Sequence, residues 1–461
     1  MEVLNNVVQT ISDIVWFPIL VVALVGLGII STIYLGAPQF VKFGAAWKQT
    51  FGGIFKKRDK GDAVQSMSSF QALATAIAAQ VGTGNVAGVA TAIISGGPGA
   101  IFWMWVSAFL GMSTIFAEAV LAQKYREVKD GEYIGGPAYY ISKGLKSGFS
   151  KYMAGFFSIS LIIALGLVGN LVQSNSISGA VMQVTNLPPI AIGVVIAVLA
   201  ALVFIGGMKR IASFAELVVP FMALLYIVGA IIILFRFNDM IIPTLRNIVL
   251  GAFNPQAIVG GGAGVAVQQA IRYGVARGLF SNEAGMGSTP HAHATANVKH
   301  PVQQGLVAMV GVFIDTVVIC TATALIILVT GAHEAGLQAA AVTQEAFGRA
   351  FGNGGAVFLA ISLSFFAFTT IVGWYYFGEA NICYLFGNKG ITPYRILVCI
   401  FIIIGSSLTG QVDLVWNMAD MFNGIMVLPN LVALFILIPQ VKALLKDYNA
   451  QVRLDPKVFE D

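Results

Sequence analysis

The stretch Ala79 to Ala90, AQVGTGNVAGVA, interrupts a run from Val64 to Ile94 that otherwise has the composition of a membrane helix. It contains three glycines, which weaken a helix, and it places Thr83 and Asn85 in the middle of an apolar run. Unpaired backbone groups are costly in lipid and are tolerated only where they line a cavity or are buried in protein. The stretch therefore predicts a helix that is broken for a functional reason.

The rest of the chain has the composition of an integral membrane protein. Of its 461 residues, 57% are hydrophobic and 10% are charged, and the mean hydropathy is +0.83. A soluble domain carries about 25% charged residues. We therefore expect one membrane domain over residues 1–461, all α-helical and surrounded by a lipid bilayer. The formal charge of +5 reflects basic loops, so no nucleic-acid partner is expected.

Eleven runs are apolar enough and long enough to be spanning helices, which need about 20 residues each. They are 12–36, 64–94, 98–123, 152–180, 188–207, 211–236, 264–298, 301–331, 355–386, 392–409 and 412–439.

The basic residues predict the orientation of these helices, since cytoplasmic loops carry an excess of Lys and Arg. If the first helix enters from outside, 21 of the 26 basic residues fall on the inner side. The N-terminus is therefore expected outside and the C-terminus in the cytoplasm, in the cell membrane. The 21 residues are Lys42, Lys48, Lys56, Lys57, Arg58, Lys60, Lys124, Arg126, Lys129, Lys143, Lys146, Lys151, Lys209, Arg210, Lys299, Lys389, Arg395, Lys442, Lys446, Arg453 and Lys457.

The helix order predicts two inverted repeats of five helices each. Without the extra helix 12–36, a first repeat (64–236) begins inside and ends outside, and a second (254–439) runs the opposite way, before a cytoplasmic tail (440–461). Inverted repeats are typical of secondary transporters, in which the first helix of each repeat is often broken near the membrane midplane.

A broken helix offers groups that can hold an amino acid and a cation together. Free N–H groups at the new N-terminus, here of Thr83 and Gly84, suit a carboxylate. The carbonyls of Ala78, Gln80 and Val81, which precede the break, suit Na⁺ or an ammonium group. Alternatively, the glycines form a helix-packing seam, because they also fit the G-x-x-x-G pattern.

The run GLFSNEAGMGSTP (278–290) predicts a matching break in the second repeat. Half of a hydrocarbon core is about 10 helical residues, and counting back from Lys299 places a break at 280–288 near the midplane. An alternative register breaks the helix at 272–278. Glu283 is interpreted either as a buried structural carboxylate, with Arg277 and Arg272 as candidate partners, or as a direct substrate contact.

Other polar groups narrow the function. Asp315 is an intramembrane carboxylate, which is either functional or a partner to a helix hydroxyl or to solvent. Glu118, Glu216 and Glu379 are interpreted as structural. None of the four histidines has the spacing of a zinc enzyme, and no nucleophile with a base is evident, so an enzyme is not expected. Polarity is concentrated at two breaks rather than in continuous stripes, which disfavours a channel.

Two stretches resemble the signature segments of the alanine or glycine:cation symporter family. They are GGPGAIFWMWVSAFLG (96–111) and RGLFSNEAGMGS (277–288). That family belongs to the amino-acid–polyamine–organocation superfamily, with the five-plus-five fold of the bacterial leucine transporter. The resemblance covers essentially the whole chain, and many members of the family have an extra leading helix. It implies sodium-coupled uptake of small neutral amino acids, with L- or D-alanine and glycine as candidate substrates.

The resemblance also implies site residues, through a leucine-transporter-like VGxGN motif at 81–85 and two adjacent hydroxyls in the segment 364–374. The implied substrate-binding residues are Gln80, Gly82, Thr83, Gly84, Asn85, Phe280, Ser281, Asn282, Thr370 and Trp374. The implied sodium ligands are the carbonyls of Ala78, Val81 and Phe366 and the hydroxyls of Thr369 and Thr370. Trp374 would restrict the side-chain pocket to alanine or glycine. The alternative for the two threonines is hydrogen bonding to carbonyls of their own helix.

The coupling ion is expected to be Na⁺, and no other cofactor is expected. Proton-coupled relatives often place a lysine at the sodium position, and helix 211–236 has no lysine in its interior. Proton-coupled transport is the alternative. The second sodium site of the leucine transporter uses an asparagine that has no match in 301–331, so one Na⁺ per substrate is expected. A monomer is compatible with all of these features.

Overall fold

We analysed a computed structural model, which describes residues 2–52, 66–253, 263–455 and 457–459. Some predicted features lie outside the described residues. These are Lys56, Lys57, Arg58 and Lys60 of the first basic loop, the beginnings of the two predicted repeats (64–65 and 254–262), and residues 456, 460 and 461 of the predicted tail.

The described residues are mostly helical, as predicted. Seven helical segments are long and apolar enough to cross a membrane, and a bent pair of helices forms an eighth candidate. The seven segments are Val3–Leu35, Gly99–Tyr125, Ser150–Met182, Gly207–Arg236, Pro301–Val329, Asn353–Ser407 and Val412–Leu454. The segment Asn353–Ser407 consists of two helices, Asn353–Phe386 and Ile391–Ser407. A shorter apolar helix, Pro189–Phe204, corresponds to the predicted span 188–207.

The first helix break is present at the predicted stretch. The helix Ser69–Gln80 is followed by Val81 in an extended conformation, and the chain resumes as Gly84–Gly96 at an angle of 51° to the first half. We call this pair the first broken helix. A capping box at Ser68 and Gln71 fixes its beginning.

The second helix break lies in the predicted run and not at 272–278. The helix Ala263–Asn282 is continuous through 272–278, and a short helix, Pro290–Ala294, follows the break. Between them Glu283, Gly285 and Gly287 have positive φ angles of 57°, 84° and 81°. Glycine adopts this backbone region without the steric cost of a side chain, which explains two of the three glycines in the run. We call the pair the second broken helix.

The connections contain more regular structure than the sequence predicts. Hydrophobicity identifies spans well but says little about short surface helices, which lack a long apolar run. A two-stranded antiparallel hairpin consists of β1 (Glu127–Lys129) and β2 (Glu132–Ile134). The connecting helices are Pro38–Val41, Phe43–Phe51, Pro137–Gly144, Ile241–Phe253 and Ala340–Phe351, with short 3₁₀ turns at Asn238–Met240, Ala332–Glu334 and Gly387–Gly390.

Both ends of the chain depart from the predicted boundaries. The first helix, predicted at 12–36, already begins near the N-terminus as Glu2–Ile14 and continues to Leu35 after an extended residue, Phe17. We call Val3–Leu35 the leading helix. At the other end, the helix continues beyond the predicted boundary at 439 to Leu454, so most of the predicted tail is helical. We call Val412–Leu454 the terminal helix.

The broken helices lie in the interior, where close packing fixes their position. The first broken helix approaches the helix Asn353–Phe386, which we call the Thr370 helix. A Cβ atom added at Gly373 would lie 2.9 Å from the Cβ of Ala79 and 3.0 Å from its backbone nitrogen. Only a glycine permits that approach, which brings the Thr370 helix against the first break.

Candidate functional site at the two helix breaks

The first break redirects two backbone N–H groups to side chains. The N–H of Gly82 donates to Asn85 Oδ1 at 2.9 Å, and the N–H of Thr83 donates to Gln173 Oε1 at 3.3 Å. In a continuous helix these groups would bond to carbonyls four residues earlier. Those carbonyls therefore lose their usual helical partners at a completely buried position.

The two freed carbonyls, and that of Val81 beside them, converge on the hydroxyl of Thr370. Its Oγ1 lies 3.0 Å from the carbonyl oxygen of Ala78, 3.3 Å from that of Ala79 and 3.4 Å from that of Val81. The carbonyl of Phe366, one turn earlier on the Thr370 helix, is 3.0 Å away. One hydroxyl proton cannot satisfy four acceptors. We call this group the Thr370 oxygen cluster, and oxygen sets of this kind suit a hard cation.

Thr369 contacts one member of this cluster, the carbonyl of Phe366. Its hydroxyl donates to the carbonyl of Phe366 at 2.9 Å and lies 3.4 Å from the sulfur of Met222. It therefore shares one carbonyl with Thr370 but does not contact the carbonyls of the first broken helix. The alternative expectation, hydrogen bonding to its own helix, describes the geometry of Thr369 well. The Thr370 hydroxyl fits both expectations, because it contacts a carbonyl of its own helix and also the carbonyls at the first break.

The two broken helices face each other at Gly84. A Cβ atom at Gly84 would lie 3.2 Å from the Cα of Ser281 and 3.3 Å from the ring of Phe280. The ring of Phe280 meets Trp374 edge-on, with the centroids 6.2 Å apart, and packs on Trp416 at 5.4 Å. Predicted site residues of the two broken helices and of the Thr370 helix are thus brought together around one buried point.

Among the described residues Glu283 does not pair with an arginine, so Arg272 and Arg277 are wrong as its partners, whereas its burial agrees with the interpretation as a buried carboxylate. Arg272 and Arg277 each pair with an aspartate on a different helix. Glu283 is fully buried, and it accepts hydrogen bonds from Trp374 Nε1 at 2.5 Å and from the hydroxyl of Ser288. The carboxylate therefore links the second break to the aromatic side chain that was expected to limit the pocket.

Asp315 links the two breaks from the neighbouring helix, Pro301–Val329. Its carboxylate accepts hydrogen bonds from Asn85 Nδ2 at 2.6 Å, from Ser281 Oγ at 2.9 Å and from Thr316 Oγ1 at 2.7 Å. Asn282 Nδ2 in turn donates to Thr316 at 3.1 Å. The expected hydroxyl partner is present, and the carboxylate also contacts predicted site residues of both broken helices.

Gln80 adds a direct connection between the broken helices. Its side-chain Nε2 donates to the carbonyl of Asn282 at 2.6 Å. The last residue of the helix Ser69–Gln80 is therefore bonded to the last residue of the helix Ala263–Asn282. This side-chain contact was not part of the predicted role of Gln80, which concerned its carbonyl.

A third buried carboxylate, Glu118, holds the loop of the second break. It accepts hydrogen bonds at 2.9 Å from the backbone N–H groups of Gly285 and Gly287, and at 2.7 Å from Asn430 Nδ2. Asn430 also contacts the carbonyl of Gly285 at 2.9 Å and the hydroxyl of Tyr140. Two unpaired amides in the membrane interior would be costly, and Glu118 satisfies both.

The other two carboxylates interpreted as structural also contact neighbouring side chains. Glu216 accepts a hydrogen bond from Gln71 Nε2 at 2.7 Å, and Glu379 accepts one from the hydroxyl of Tyr375. Both contacts lie away from the two breaks.

Sequence reasoning missed Gln173 as a contact of the first break, and it did not predict which groups the structural carboxylate Glu118 would hold. Each is a polar side chain within a long apolar helix, Ser150–Met182 for Gln173 and Gly99–Tyr125 for Glu118. Intramembrane polar residues of this kind are functional candidates by default. That signal was available, but the partners lie 90 and 167 residues away along the chain.

The sequence matches a family model over almost its entire length. Residues 1–460 fit the sodium:alanine symporter family. The chain belongs to this family. The sodium/alanine symporter AgcS of Methanococcus maripaludis is 43% identical over 96% of this chain and 97% of that protein. The probable sodium/glutamine symporter GlnT of Bacillus subtilis is 39% identical over the whole of this chain and 94% of its own length.

Another relative is described with a different coupling ion, the proton, beside sodium. A Bacillus subtilis protein described as a putative sodium/proton-dependent alanine carrier, YrbD, is 39% identical over 97% of this chain and 94% of its own length. Membership in the family identifies the chain as a multi-pass membrane transporter rather than an enzyme.

A solved structure shows the same fold at low sequence identity. The crystal structure of MhsT in complex with L-phenylalanine superimposes with a TM-score of 0.57, covering 83% of this chain and 99% of the MhsT chain at 13% identity. This sodium:alanine symporter family member therefore has a leucine-transporter-like fold, as the resemblance implied.

Proposed function

We propose that this protein is a sodium-coupled symporter that takes up small neutral amino acids, alanine and also glycine, by alternating access. The observation that carries the proposal is the Thr370 oxygen cluster, in which one hydroxyl lies within 3.4 Å of four carbonyl oxygens. A cation bound there would replace hydrogen bonds that the broken helix has lost. It would also connect the first broken helix to the Thr370 helix, so that the ion and the closure of the site depend on each other.

The proposed substrate position lies between the two breaks, beside this cluster. The amides of Thr83 and Gly84 would bind the carboxylate, and the carbonyl of Gln80 would bind the amino group. Before that can happen, Thr83 must exchange its long, 3.3 Å contact with Gln173 for a substrate oxygen. Phe280 and Trp374 enclose the side-chain end with aromatic surface. A methyl group or a hydrogen atom fits that space better than a branched side chain.

The finer architecture belongs to the same proposal. Eleven membrane-spanning segments would form two inverted five-helix repeats behind the leading helix, with the N-terminus outside and the C-terminus in the cytoplasm. Support comes from the two helix breaks, which stand at the expected first helices of the repeats. The inward bias of 21 of the 26 basic residues supports the orientation.

The deciding experiment is uptake of labelled alanine into proteoliposomes under an inward sodium gradient. We expect saturable uptake that is abolished when choline replaces sodium and that is competed by unlabelled glycine and by one or both enantiomers of unlabelled alanine. A proton gradient without sodium should not drive it. Uptake that follows the proton gradient alone would overturn sodium coupling, and non-saturable flux would indicate a channel.

A further inference from the structure

Two arginines on the outer half of the second broken helix form a layer of ion pairs above the predicted substrate position. Arg277 donates two hydrogen bonds to the carboxylate of Asp420 on the terminal helix, at 2.7 and 2.8 Å. Arg272 pairs with Asp13 of the leading helix. The second broken helix is thus bonded through charged side chains to two different helices on the same side of its break.

Trp16 joins the two ion pairs. Its indole Nε1 donates to the backbone carbonyl of Asp420 at 2.8 Å. The leading helix therefore contacts both members of the layer, Arg272 through Asp13 and the backbone of Asp420 through Trp16. A small polar cavity of about 70 Å³ lies between these groups, and it is also lined by Asn417. That volume suits a few water molecules and is too small for an amino acid.

Below the ion pairs, an aromatic layer continues toward the site. The guanidinium of Arg277 lies 5.5 Å from the centre of the Trp416 ring, and Trp416 packs on Phe280. Phe280 in turn contacts Trp374. The order from outside inward is Arg272 with Asp13, Arg277 with Asp420, Trp416 on Phe280, and then the predicted substrate pocket.

We propose that the leading helix is the fixed support of the outer gate, and that Asp13 and Trp16 are positioning residues for the Arg277–Asp420 pair. Asp13 holds the outer half of the second broken helix through Arg272, while Trp16 holds the backbone at Asp420. Closure then brings Arg277 and Asp420 together over the aromatic layer. The inference rests on the proposed function, because a gate is needed only where a substrate passes.

The exposure of the side chains assigns different roles to the two ion pairs. Arg277 and Asp420 are largely buried, with 11% and 14% of their side chains exposed, whereas Arg272 and Asp13 are 24% and 46% exposed. A largely buried pair is costly to leave without its partner. A partly exposed pair can break and re-form at low cost. Asp13 and Arg272 therefore guide the approach, while Arg277 and Asp420 close it.

The test is the reactivity of a cysteine placed in the cavity, Asn417→Cys, toward a small uncharged thiol reagent, whose rate does not depend directly on the charges that the variants remove. We would measure it on purified protein in detergent, so that both sides are accessible, and subtract the reaction of the parent chain, whose cysteines are Cys320, Cys383 and Cys399. Asp13→Asn and Arg272→Gln should each raise the labelling rate in sodium and alanine about threefold, the scale of a partly exposed ion pair.

Charge reversal separates gating from a loss of fold. The double variant Asp13→Arg with Arg272→Asp should restore the labelling rate to within about twofold of the parent. Arg272→Lys, which keeps the charge, should also stay near the parent and serves if the reversed pair does not fold. The matched control is Asp413→Asn, which alters an exposed carboxylate on the terminal helix two turns from Asp420. This variant should leave the labelling rate unchanged.

Transport kinetics give an independent reading. Asp13→Asn should lower kcat for alanine uptake while KM changes little, because the substrate contacts are intact and the closing step is impaired. The inference is overturned if Asp13→Asn and Arg272→Gln behave like Asp413→Asn, or if neither the reversed pair nor Arg272→Lys behaves like the parent. A parent protein that shows gated labelling but no sodium-driven alanine uptake would instead overturn the proposed function.

Discussion

The indole of Trp374 donates a hydrogen bond of 2.5 Å to Glu283, so the Thr370 helix and the second broken helix are bonded at the wall of the predicted pocket. The same indole occupies the space in front of Gly169, where an added Cβ atom would lie 2.6 Å from the ring. Trp374 is therefore held both by a polar contact and by packing. Its position is fixed, which is what a residue that selects substrates by size requires.

Trp374→Ala should admit larger neutral amino acids while the sodium requirement remains. Thr370 and Trp374 are four residues apart and lie on one side of their helix, about 5 Å apart along its axis. In the native pocket, extra methylene groups would cost about 1–3 kcal/mol through overpacking. We expect valine and leucine to compete with labelled alanine at least about tenfold better in the variant.

Trp374→Phe is the control for the lost hydrogen bond. It removes the donor to Glu283 but retains an aromatic wall, so alanine uptake should fall while the ranking of substrates by size is preserved. If Trp374→Ala still transports alanine with an unchanged size ranking, Trp374 is only a packing residue. The wall would then have to be sought near 165–170 on the helix Ser150–Met182.

Replacing Thr370 by valine should abolish sodium dependence. The change keeps the shape but removes the hydroxyl that reaches the carbonyls of Ala78 and Val81. Thr369→Val should have a smaller effect, since the Thr369 hydroxyl contacts the Phe366 carbonyl and Met222 rather than the carbonyls at the first break. The double variant should insert normally but lose sodium-stimulated alanine uptake.

The measurement is alanine uptake as a function of sodium concentration for each variant. Thr370→Ser, which retains the hydroxyl, should keep sodium stimulation with a modest change in the sodium concentration at half-maximal uptake. Retained stimulation in the double valine variant would contradict the assignment of the Thr370 oxygen cluster to sodium.

Gly84→Ala and Gly88→Ala form a matched pair that separates substrate binding from helix packing. At Gly84 the new methyl group would lie 3.2 Å from the backbone of Ser281, whereas at Gly88 its nearest neighbour would be a side-chain atom of Arg277 at 3.9 Å. Overpacking typically costs about 1–3 kcal/mol, so Gly84→Ala should weaken alanine binding about tenfold or more. Gly88→Ala should bind alanine normally.

Binding would be measured by equilibrium dialysis of labelled alanine in saturating sodium, with expression followed in parallel. Equal loss of expression in both variants would favour the packing seam of Gly84-x-x-x-Gly88. Unchanged binding in a well-expressed Gly84→Ala protein would mean that the substrate carboxylate is held elsewhere.

The sequence was most informative where a residue type has few structural roles in its environment. Glycines and polar residues inside an apolar run have few roles in lipid other than a break, and both breaks occur in the predicted runs. Short helices such as Ala340–Phe351 carry no comparable signal, because their packing depends on the rest of the protein. The adjacent hydroxyls at 369 and 370 could be located, but which of them reaches the first break depends on helix rotation.

Long-range polar pairing could not be predicted, and it accounts for the error at Glu283. Proximity in sequence favours Arg272 and Arg277 as partners of Glu283, yet Arg277 bonds to Asp420, which is 143 residues away. A membrane interior makes nearly every polar group find a partner. Composition therefore indicates that a pairing exists, whereas only the three-dimensional arrangement indicates which one.

Glu118→Gln should impair transport strongly, although Glu118 contacts neither the Thr370 oxygen cluster nor the aromatic wall. The native carboxylate accepts one hydrogen bond on each oxygen from the amides of Gly285 and Gly287. A glutamine places an NH₂ group against one of these donors, so at least one amide loses its acceptor. Hydrogen bonds to charged groups contribute about 1.5–3 kcal/mol each, which predicts at least a tenfold fall in the rate of alanine uptake.

The effect should appear as a loss of the second break rather than of the fold. Glu118→Gln should still be inserted and monodisperse, but its backbone amides at 285 and 287 should exchange hydrogen faster than in the parent, as measured by hydrogen–deuterium exchange. Glu127→Gln, which alters an exposed carboxylate on β1, should exchange and transport like the parent. Normal uptake together with unchanged exchange in Glu118→Gln would show that the loop of the second break holds its shape without this carboxylate.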